Sequence, residues 1–308
     1  MSKRVVVLMG GFSAEREVSL ASGAACAAAL ETAGYAVATI DVRRDLQTLV
    51  PGLEAAQPWA VFNALHGRYG EDGRIQSILD LMKIPYTHSG VLASALAMDK
   101  PAAKKVFAAA GIPVAEGRVV SKAEVLAGDV LPRPFVLKPL NEGSSVGVHI
   151  VREGDNAITF TDEDWSFGDY VLAERFIPGR EITVAVMGDR ALGATEITSE
   201  RGFYDYEAKY APGGSVHIVP APLPSQAYDD ALILALKAHQ ALGCRGVSRA
   251  DLRYDDTQPD QPGRFYMLEV NTQPGMTQTS LVPELAAYAG MSFGELVTWM
   301  VENAKCDP

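Results

Sequence analysis

Short apolar runs alternate with helix-length segments along the first hundred residues. Three runs have the length of buried strands: residues 5–8, 36–40 and 60–63. They are separated by the alanine-rich segment from Ser19 to Ala33 and by a polar stretch around Leu46 to Leu53. Strand and helix alternating at this spacing predict a parallel sheet with helices on its faces. We therefore expect residues 1–98 to form a small doubly wound α/β domain.

The remaining residues mix helical and strand patterns without strict alternation. A helix is predicted at residues 73–82, where apolar residues repeat with a period of 3.6, and further helices are predicted at residues 100–110, 283–289 and 292–303. Strands are predicted at residues 135–139, 148–151, 170–176 and 182–187. Glycine and serine between the first two of these strands predict a hairpin. We expect two α+β lobes in this part, at residues 99–180 and 181–308.

Charged and amide side chains cluster on two further predicted strands. Successive side chains of a strand point to opposite faces, so Glu269 and Asn271 share one face while Leu268 and Val270 face the core. The same rule places two residues of the preceding strand together on one face: Arg249 and Asp251.

Two carboxylates and a carboxamide on neighbouring strands suit Mg²⁺, a hard cation that completes its ligand shell with water and phosphate. The cluster therefore favours phosphoryl transfer. The alternative is a solvated strand face with a nearby salt-bridge partner, and for any single residue of the cluster that interpretation is preferred.

Composition narrows the class of protein. The chain has 308 residues, of which 48% are hydrophobic and 21% charged, which is ordinary for a globular protein of two or three domains. A net charge of −11 argues against a nucleic-acid-binding surface. Cys26, Cys244 and Cys306 lack metal-type spacing and are typical of reduced thiols. No apolar stretch reaches the length of a membrane span or of a secretion signal, so we expect a cytoplasmic protein.

Two glycine-containing loops follow the first and third predicted strands. The loop from Gly10 to Glu15 leads into a helix, where backbone amides favour an anion. Glu15 would repel a pyrophosphate, and it suits a ligand ammonium better. The loop from His66 to Gly73 lies at the strand end where parallel sheets bind ligands. For His66 alone, a structural histidine is preferred over a catalytic base.

Two later segments fit phosphate binding and closure of a site. The 142–147 loop offers backbone amides and the Ser144 hydroxyl to a phosphate, with Lys138 beside it and Lys100 as a second candidate partner. A solvated lysine is the alternative for both positions. The aromatic segment at residues 203–210 is flanked by glycine and predicts a lid, and an exposed loop explains it equally well.

Six motifs occur in order along the chain: GGFSAEREVS at 10–19, HGRYGEDG at 66–73, EGSSVG at 142–147, YDYEAKY at 204–210, SRAD at 248–251 and EVNTQPGMT at 269–277. Together they resemble the bacterial D-alanine:D-alanine ligases of the ATP-grasp superfamily, over about residues 3 to 300. The resemblance implies an N-terminal α/β domain followed by two α+β lobes that clamp ATP. It also implies that ATP activates one D-alanine as an acyl phosphate, which the amine of a second D-alanine attacks, for peptidoglycan precursor synthesis.

The resemblance assigns roles to residues of this chain. It implies catalytic roles for Glu15, Ser144, Tyr210, Arg249 and Gly275. It implies substrate contacts by His66, Ser280 and Leu281. It implies nucleotide contacts by Lys100, Lys138, Glu174, Arg175, Phe176, Ile177, Glu181 and Lys209. It implies two Mg²⁺ ions, replaceable by Mn²⁺, on Asp251, Glu269 and Asn271. A monovalent cation is left open, and a homodimer is implied.

Within this set, the resemblance implies that Glu15, Ser144 and Tyr210 form a hydrogen-bonded triad over the bound substrate. Tyr210 resembles the members that form a dipeptide rather than a D-alanyl-D-lactate ester. Glu181 is expected to accept hydrogen bonds from the ribose hydroxyls, and the backbone of residues 174–177 is expected to contact adenine.

Two features depart from the family pattern. Arg253 stands where a second aliphatic residue usually follows the aspartate, and we expect it to project into solvent or towards a neighbouring subunit. The 255–263 connector is longer than is typical. Two other functions stay open: an ATP-grasp carboxylate-amine ligase with a different amino acid substrate, and a nucleotide-binding module without catalysis.

Overall fold

The computed structural model describes residues 2–44, 46–141, 147–155, 165, 168–198 and 214–307. Three predicted site residues lie outside the described residues: Ser144, Lys209 and Tyr210. The predicted lid at residues 203–210 also lies outside them.

The N-terminal segment forms a parallel sheet of order β2-β1-β3, as the alternation predicts. Its strands are β1 Arg4–Gly10, β2 Ala36–Val42 and β3 Ala60–Asn63. Its helices are α1 Arg16–Thr32, α2 Leu46–Ala56, α3 Arg74–Leu81 and α4 Val91–Met98. The polar stretch expected at residues 46–53 is instead the start of α2, because Leu49 and Leu53 lie one turn apart and are both buried.

Helices cover both faces of this sheet. Val5 and Val7 of β1 belong to the hydrophobic cluster that contains Leu30 of α1. The intervening Val6 belongs to a second cluster, with Leu49 of α2 and helix α3. Alternate residues of one strand therefore serve two cores, which is the doubly wound arrangement.

A four-stranded antiparallel sheet follows, in the order β4-β7-β5-β6. Its strands are β4 Gly117–Ser121, β5 Phe135–Lys138, β6 His149–Val151 and β7 Tyr170–Arg175. The predicted hairpin is confirmed, since β5 pairs with β6 in antiparallel register. Helix α6 Lys122–Ala127 begins at a capping box, in which Ser121 and Glu124 satisfy each other's backbone N–H groups.

A five-stranded antiparallel sheet has the order β10-β9-β8-β11-β12. Its strands are β8 Arg180–Met187, β9 Arg190–Thr198, β10 Val216–Ile218, β11 Val247–Asp255 and β12 Arg264–Asn271. The helices of this part are α5 Lys100–Ala109, α7 Ser225–Ala241, α8 Leu281–Tyr288 and α9 Phe293–Glu302. None of the helices in the described ranges is long and apolar enough to cross a membrane.

The hydrophobic cores join segments that are distant in sequence. Phe107 of α5 shares a cluster with Ile182 of β8 and Leu252 of β11, so α5 packs on the five-stranded sheet. Val7 of β1 shares another cluster with Val297 of α9. This packing brings the C-terminal ends of the parallel strands close to the end of β12, where the candidate site lies.

Candidate functional site

The charged strand pair is formed as the alternation predicts. Strands β11 and β12 are antiparallel, with Arg249 opposite Asn271 and Asp251 opposite Glu269. Directly opposed residues lie on the same face of a sheet, so all four side chains share one face. The separate predictions for the two strands thus combine into one cluster.

A β-bulge corrects the prediction for Leu268. The register passes from Asp251 opposite Glu269 to Leu252 opposite Met267, which leaves Leu268 as the extra residue on β12. Leu268 is therefore only partly buried, while Met267 and Val270 are in the core. The bulge changes the phase of alternation and keeps Glu269 on the face of Asp251.

Arg249 and Asp251 form a two-bond ion pair. Arg249 Nε donates to Asp251 Oδ1 over 2.9 Å, and Nη2 donates to Oδ2 over 2.8 Å. The Thr183 hydroxyl of β8 also donates to Asp251 Oδ1. Asp251 is 8% exposed, so these contacts compensate a buried charge and fix its orientation.

Glu269 faces a cation from another element. Lys100 Nζ lies 3.8 Å from Glu269 Oε2, and the lysine exposes only 12% of its side chain. Lys100 is the first residue of α5, and its backbone N–H donates to the Leu140 carbonyl over 3.1 Å. The predicted phosphate ligand Lys100 and the predicted metal ligand Glu269 are thus neighbours.

The loops after β1 and β3 lie against each other. The Ser13 hydroxyl donates to the His66 carbonyl over 2.7 Å. A Cβ atom at Gly67 would lie 2.8 Å from Glu15 Oε2, and Gly67 has a φ of +70°, so the position requires glycine. The predicted substrate residues Glu15 and His66 therefore belong to one site.

His66 is a buried histidine with a neighbouring hydroxyl. Its Nε2 lies 3.3 Å from Ser22 Oγ, and burial lowers its pKa although the charge of Glu15 acts in the opposite direction. The Ser22 hydroxyl also accepts from the Met276 backbone N–H over 3.2 Å. A neutral, hydrogen-bonded ring agrees with the structural interpretation preferred for His66.

Glu71 is a buried acidic residue beside the site, and the sequence assigned no role to it. It is 7% exposed, and its Oε2 has no hydrogen-bond partner among the described residues. Burial, followed by the charge of Glu15, raises the pKa of Glu71 well above its ordinary value. Its membership of the 66–73 motif was the one signal available in the sequence.

Gln273 joins the two halves of the site. Asn63 at the end of β3 donates from Nδ2 to Gln273 Oε1 over 2.8 Å, and Gln273 Nε2 donates to the Leu65 carbonyl. The Gln273 backbone N–H donates to Asn271 Oδ1 over 2.8 Å. This buried amide therefore links the substrate loop to a predicted metal ligand.

Gly275 and Ser280 lie together at the start of α8. A Cβ atom at Gly275 would lie 2.9 Å from Ser280 Oγ. Ser280 is the residue before α8, and its hydroxyl accepts from the Thr277 N–H over 3.0 Å. The Leu281 side chain is buried, so a ligand at this helix end would meet the Leu281 backbone.

Glu174 holds two lysines on the other side of the site. Lys138 Nζ lies 2.7 Å from Glu174 Oε2, and Lys104 Nζ binds Glu174 Oε1. Although burial opposes it, the two ammonium groups lower the pKa of Glu174 to about 2. Burial lowers the pKa of Lys104, and the charge of Glu174 acts in the opposite direction; at Lys138 the charge of Glu174 outweighs burial and the pKa is raised.

The segment expected to contact adenine follows Glu174. The Arg175 N–H donates to Glu116 O over 2.8 Å, and the Phe176 N–H donates to Pro134 O over 3.1 Å. These donors are occupied, which favours the Ile177 end of the segment for a nucleobase.

The expectation for Arg253 is wrong. Its side chain is 16% exposed and points towards Glu181 of β8, with Arg253 Nη1 3.5 Å from Glu181 Oε2. The predicted exposure failed because Arg253 lies within the paired region of β11, opposite Glu181, and not beyond the end of the strand.

The donor set for a divalent cation fits in type and placement. Asp251, Glu269 and Asn271 present oxygen atoms from one face of β11 and β12. Within the described ranges, no group of three His, Cys, Asp or Glu side chains is arranged around a common point.

Comparisons with known proteins show which proteins this chain is similar to. The family model described as "D-ala D-ala ligase C-terminus" matches residues 106–302, and "D-ala D-ala ligase N-terminus" matches residues 49–89. The D-alanine--D-alanine ligase of Paramagnetospirillum magneticum is 66% identical over 100% of both chains, and that of Rhodospirillum rubrum is 61% identical over 100% of both. The structure of D-alanine--D-alanine ligase from Bacillus anthracis complexed with ATP matches with a TM-score of 0.79 at 28% identity, covering 98% of this chain and 97% of that one.

Proposed function

This chain belongs to the D-alanine--D-alanine ligase family and has its ATP-grasp fold, and from that premise we propose that it joins two D-alanine molecules into D-alanyl-D-alanine. ATP is converted to ADP and phosphate, and the dipeptide serves peptidoglycan precursor synthesis. The observation that carries the proposal is the single face shared by Arg249, Asp251, Glu269 and Asn271, which Gln273 links to the loop beside Glu15.

In the first half-reaction, a carboxylate oxygen of one D-alanine bonds to the γ-phosphorus of ATP as the bond to the ADP oxygen breaks. Glu15 would accept hydrogen bonds from the ammonium group of this D-alanine, and Gly67, which lies against its carboxylate, adds no side chain there. Lys100 and Lys138 would neutralise phosphate oxygens, and Lys209 is proposed to do the same. Holding both reactants in place lowers the entropic barrier to the transfer.

In the second half-reaction, the amine of the second D-alanine attacks the acyl carbon, and the resulting tetrahedral intermediate expels phosphate. Arg249 and the Gly275 N–H would donate to its oxyanion, an interaction worth about 3 kcal/mol per donor. The paired contacts with Asp251 fix the guanidinium before the charge develops. Ser280 and the Leu281 N–H would receive the carboxylate of the second D-alanine.

Asp251, Glu269 and Asn271 are proposed to hold two Mg²⁺ ions, with Mn²⁺ as a replacement. When bound, the ions offset the negative charge of the phosphates. Lys100 beside Glu269 adds a fixed positive charge of the protein at the same place. Glu181 and the Ile177 end of its segment are proposed to bind ribose and adenine.

We propose an amide product because Tyr210 resembles the dipeptide-forming members, with Glu15 and Ser144 completing the triad. The test offers D-alanine together with D-lactate, D-serine or L-alanine at neutral pH and identifies the products. D-alanyl-D-alanine is expected to dominate each mixture. Predominant ester would overturn the role of Tyr210, and ATP turnover that depends on a different amino acid would favour another carboxylate-amine ligase.

We also propose a cytoplasmic homodimer. The family resemblance supports both the location and the dimer. Gel filtration with light scattering is expected to give a mass of about twice that of the chain, and a monomer at all concentrations would reject the dimer.

A further inference from the structure

Arg253 lies opposite Glu181, the residue predicted to bind the ribose of the nucleotide. On β11 its Cα is opposite that of Glu181 on β8, so both side chains project from the same face of the sheet. Arg253 Nη1 is 3.5 Å from Glu181 Oε2, and the two side chains expose 16% and 15% of their surface. An ion pair with this little exposure is weakly screened by solvent.

The same guanidinium binds the turn that precedes β8. Arg253 Nε donates to the Ile177 carbonyl over 3.2 Å, and Nη2 donates to the Gly179 carbonyl over 2.6 Å. The planar fork of an arginine can hold a carboxylate and two carbonyls at once, which the single ammonium of a lysine cannot do with the same geometry. Arg253 therefore connects Glu181 rigidly to the turn at residues 177–179.

The turn at residues 177–179 also lies in close contact with the backbone of β11. Gly179 has a φ of +88°, and a Cβ atom there would lie 2.1 Å from the Tyr254 carbonyl. The turn therefore depends on the close contact between Gly179 and the Tyr254 backbone. It also depends on the hydrogen bonds that the Arg253 side chain donates to it. Its opposite end, Ile177, is where the proposed adenine contact lies.

We propose that Arg253 is a positioning residue for the nucleotide, which orients the Glu181 carboxylate towards the ribose hydroxyls and fixes the Ile177 backbone for adenine. This inference rests on the proposed function, since it takes Glu181 as the ribose ligand. Without Arg253, Glu181 keeps its charge but loses its orientation, so ribose recognition weakens while D-alanine binding does not.

The test compares Arg253→Met, Arg253→Lys and Glu181→Gln with the unchanged protein. Equilibrium binding of ATP and of 2′,3′-dideoxy-ATP is measured for each, followed by the KM values for ATP and D-alanine. A hydrogen bond to a charged group corresponds to about a 10- to 100-fold preference for ATP over the dideoxy nucleotide in the unchanged protein. Arg253→Met is expected to reduce that preference by about 10-fold and to raise the KM for ATP, with the KM for D-alanine unchanged.

Arg253→Lys keeps the positive charge but lacks the planar guanidinium. Its preference for ATP is therefore expected to lie between that of the unchanged protein and that of Arg253→Met. Arg118→Met is the matched control, because Arg118 pairs with Glu124 at the surface and its loss is expected to change neither nucleotide preference nor KM. In the Glu181→Gln background, Arg253→Met is expected to cause little further loss of preference, since the two residues act through one contact.

An unchanged preference for ATP in Arg253→Met would overturn the inference, and so would equal rises in the KM values for ATP and D-alanine. If Arg253→Met does not fold, as judged by thermal melting, the preference for ATP over the dideoxy nucleotide is compared among Arg253→Lys, Glu181→Gln and the unchanged protein. An unchanged preference in Arg253→Lys would then overturn the inference. The binding measurement needs no turnover. Weaker ribose discrimination in a protein that makes no dipeptide would support the role of Arg253 and reject the proposed ligase.

Discussion

The carboxylate of Glu174 is the shared partner of two partly buried lysines, Lys104 and Lys138. Glu174→Gln removes the charge with almost no change in volume and leaves Lys104 and Lys138 without their shared partner. The pKa of Glu174 falls from its ordinary 4.5 to about 2. Since a tenfold change in proton affinity is about 1.4 kcal/mol, the carboxylate contributes about 3 kcal/mol to stability at neutral pH.

The sign of the pH dependence follows from the lowered pKa. The contribution is fully present above the ordinary pKa of 4.5 and is lost as pH falls through about 2. Urea unfolding at pH 7 is therefore expected to show Glu174→Gln less stable by about 3 kcal/mol. Between pH 4.5 and pH 2 the difference from the unchanged protein is expected to shrink.

Glu124→Gln is the matched control for this experiment, because the same substitution is made at an exposed carboxylate that glutamine can replace in a capping box. A much smaller loss of stability is expected there. Equal stability of Glu174→Gln and the unchanged protein at pH 7, or a difference that persists undiminished at pH 2, would refute the reasoning.

Three further substitutions test the ligase site. Glu269→Gln is expected to abolish turnover with the fold retained, because a proposed carboxylate ligand of the metal is lost without creating a cavity. ADP release and circular dichroism check this prediction, and near-normal turnover would move the proposed metal site elsewhere. Gly275→Ala is expected to lower kcat by about 10-fold or more, because its Cβ would lie 2.9 Å from Ser280 Oγ and displace an oxyanion donor. Gln273→Ala is expected to cost about 2 kcal/mol in urea unfolding, because the buried Asn63 amide loses one of its two acceptors and the Leu65 carbonyl loses a donor. Unchanged stability would contradict the link between the loop after β3 and the end of β12.

Period-two alternation predicted much of the candidate site. It placed Glu269 with Asn271 and Arg249 with Asp251, and the antiparallel register of β11 and β12 brings all four together. The bulge at Leu268 could not be predicted, because it depends on which residues of the partner strand form pairs. Alternation describes one strand at a time, whereas register is a property of two.

Contacts between segments that are distant in the chain could not be predicted from the sequence for the same reason. Arg253 has the position of a residue near a hairpin end, and nothing local shows that the turn at residues 177–179 accepts its hydrogen bonds. Glu71 and Gln273 gain their importance from burial between separate elements. At α2, the spacing of Leu49 and Leu53 carried a helical signal that Pro51 and Gly52, which are typical of turns, obscured.

The central claim is that this site couples ATP to the joining of two D-alanine molecules. The most direct measurement incubates the purified protein with ATP, Mg²⁺ and D-alanine and quantifies ADP and D-alanyl-D-alanine in the same samples. One ADP is expected for each dipeptide, with no ADP formed when D-alanine is omitted. ADP formation that does not depend on D-alanine, or that yields no dipeptide, would contradict the claim.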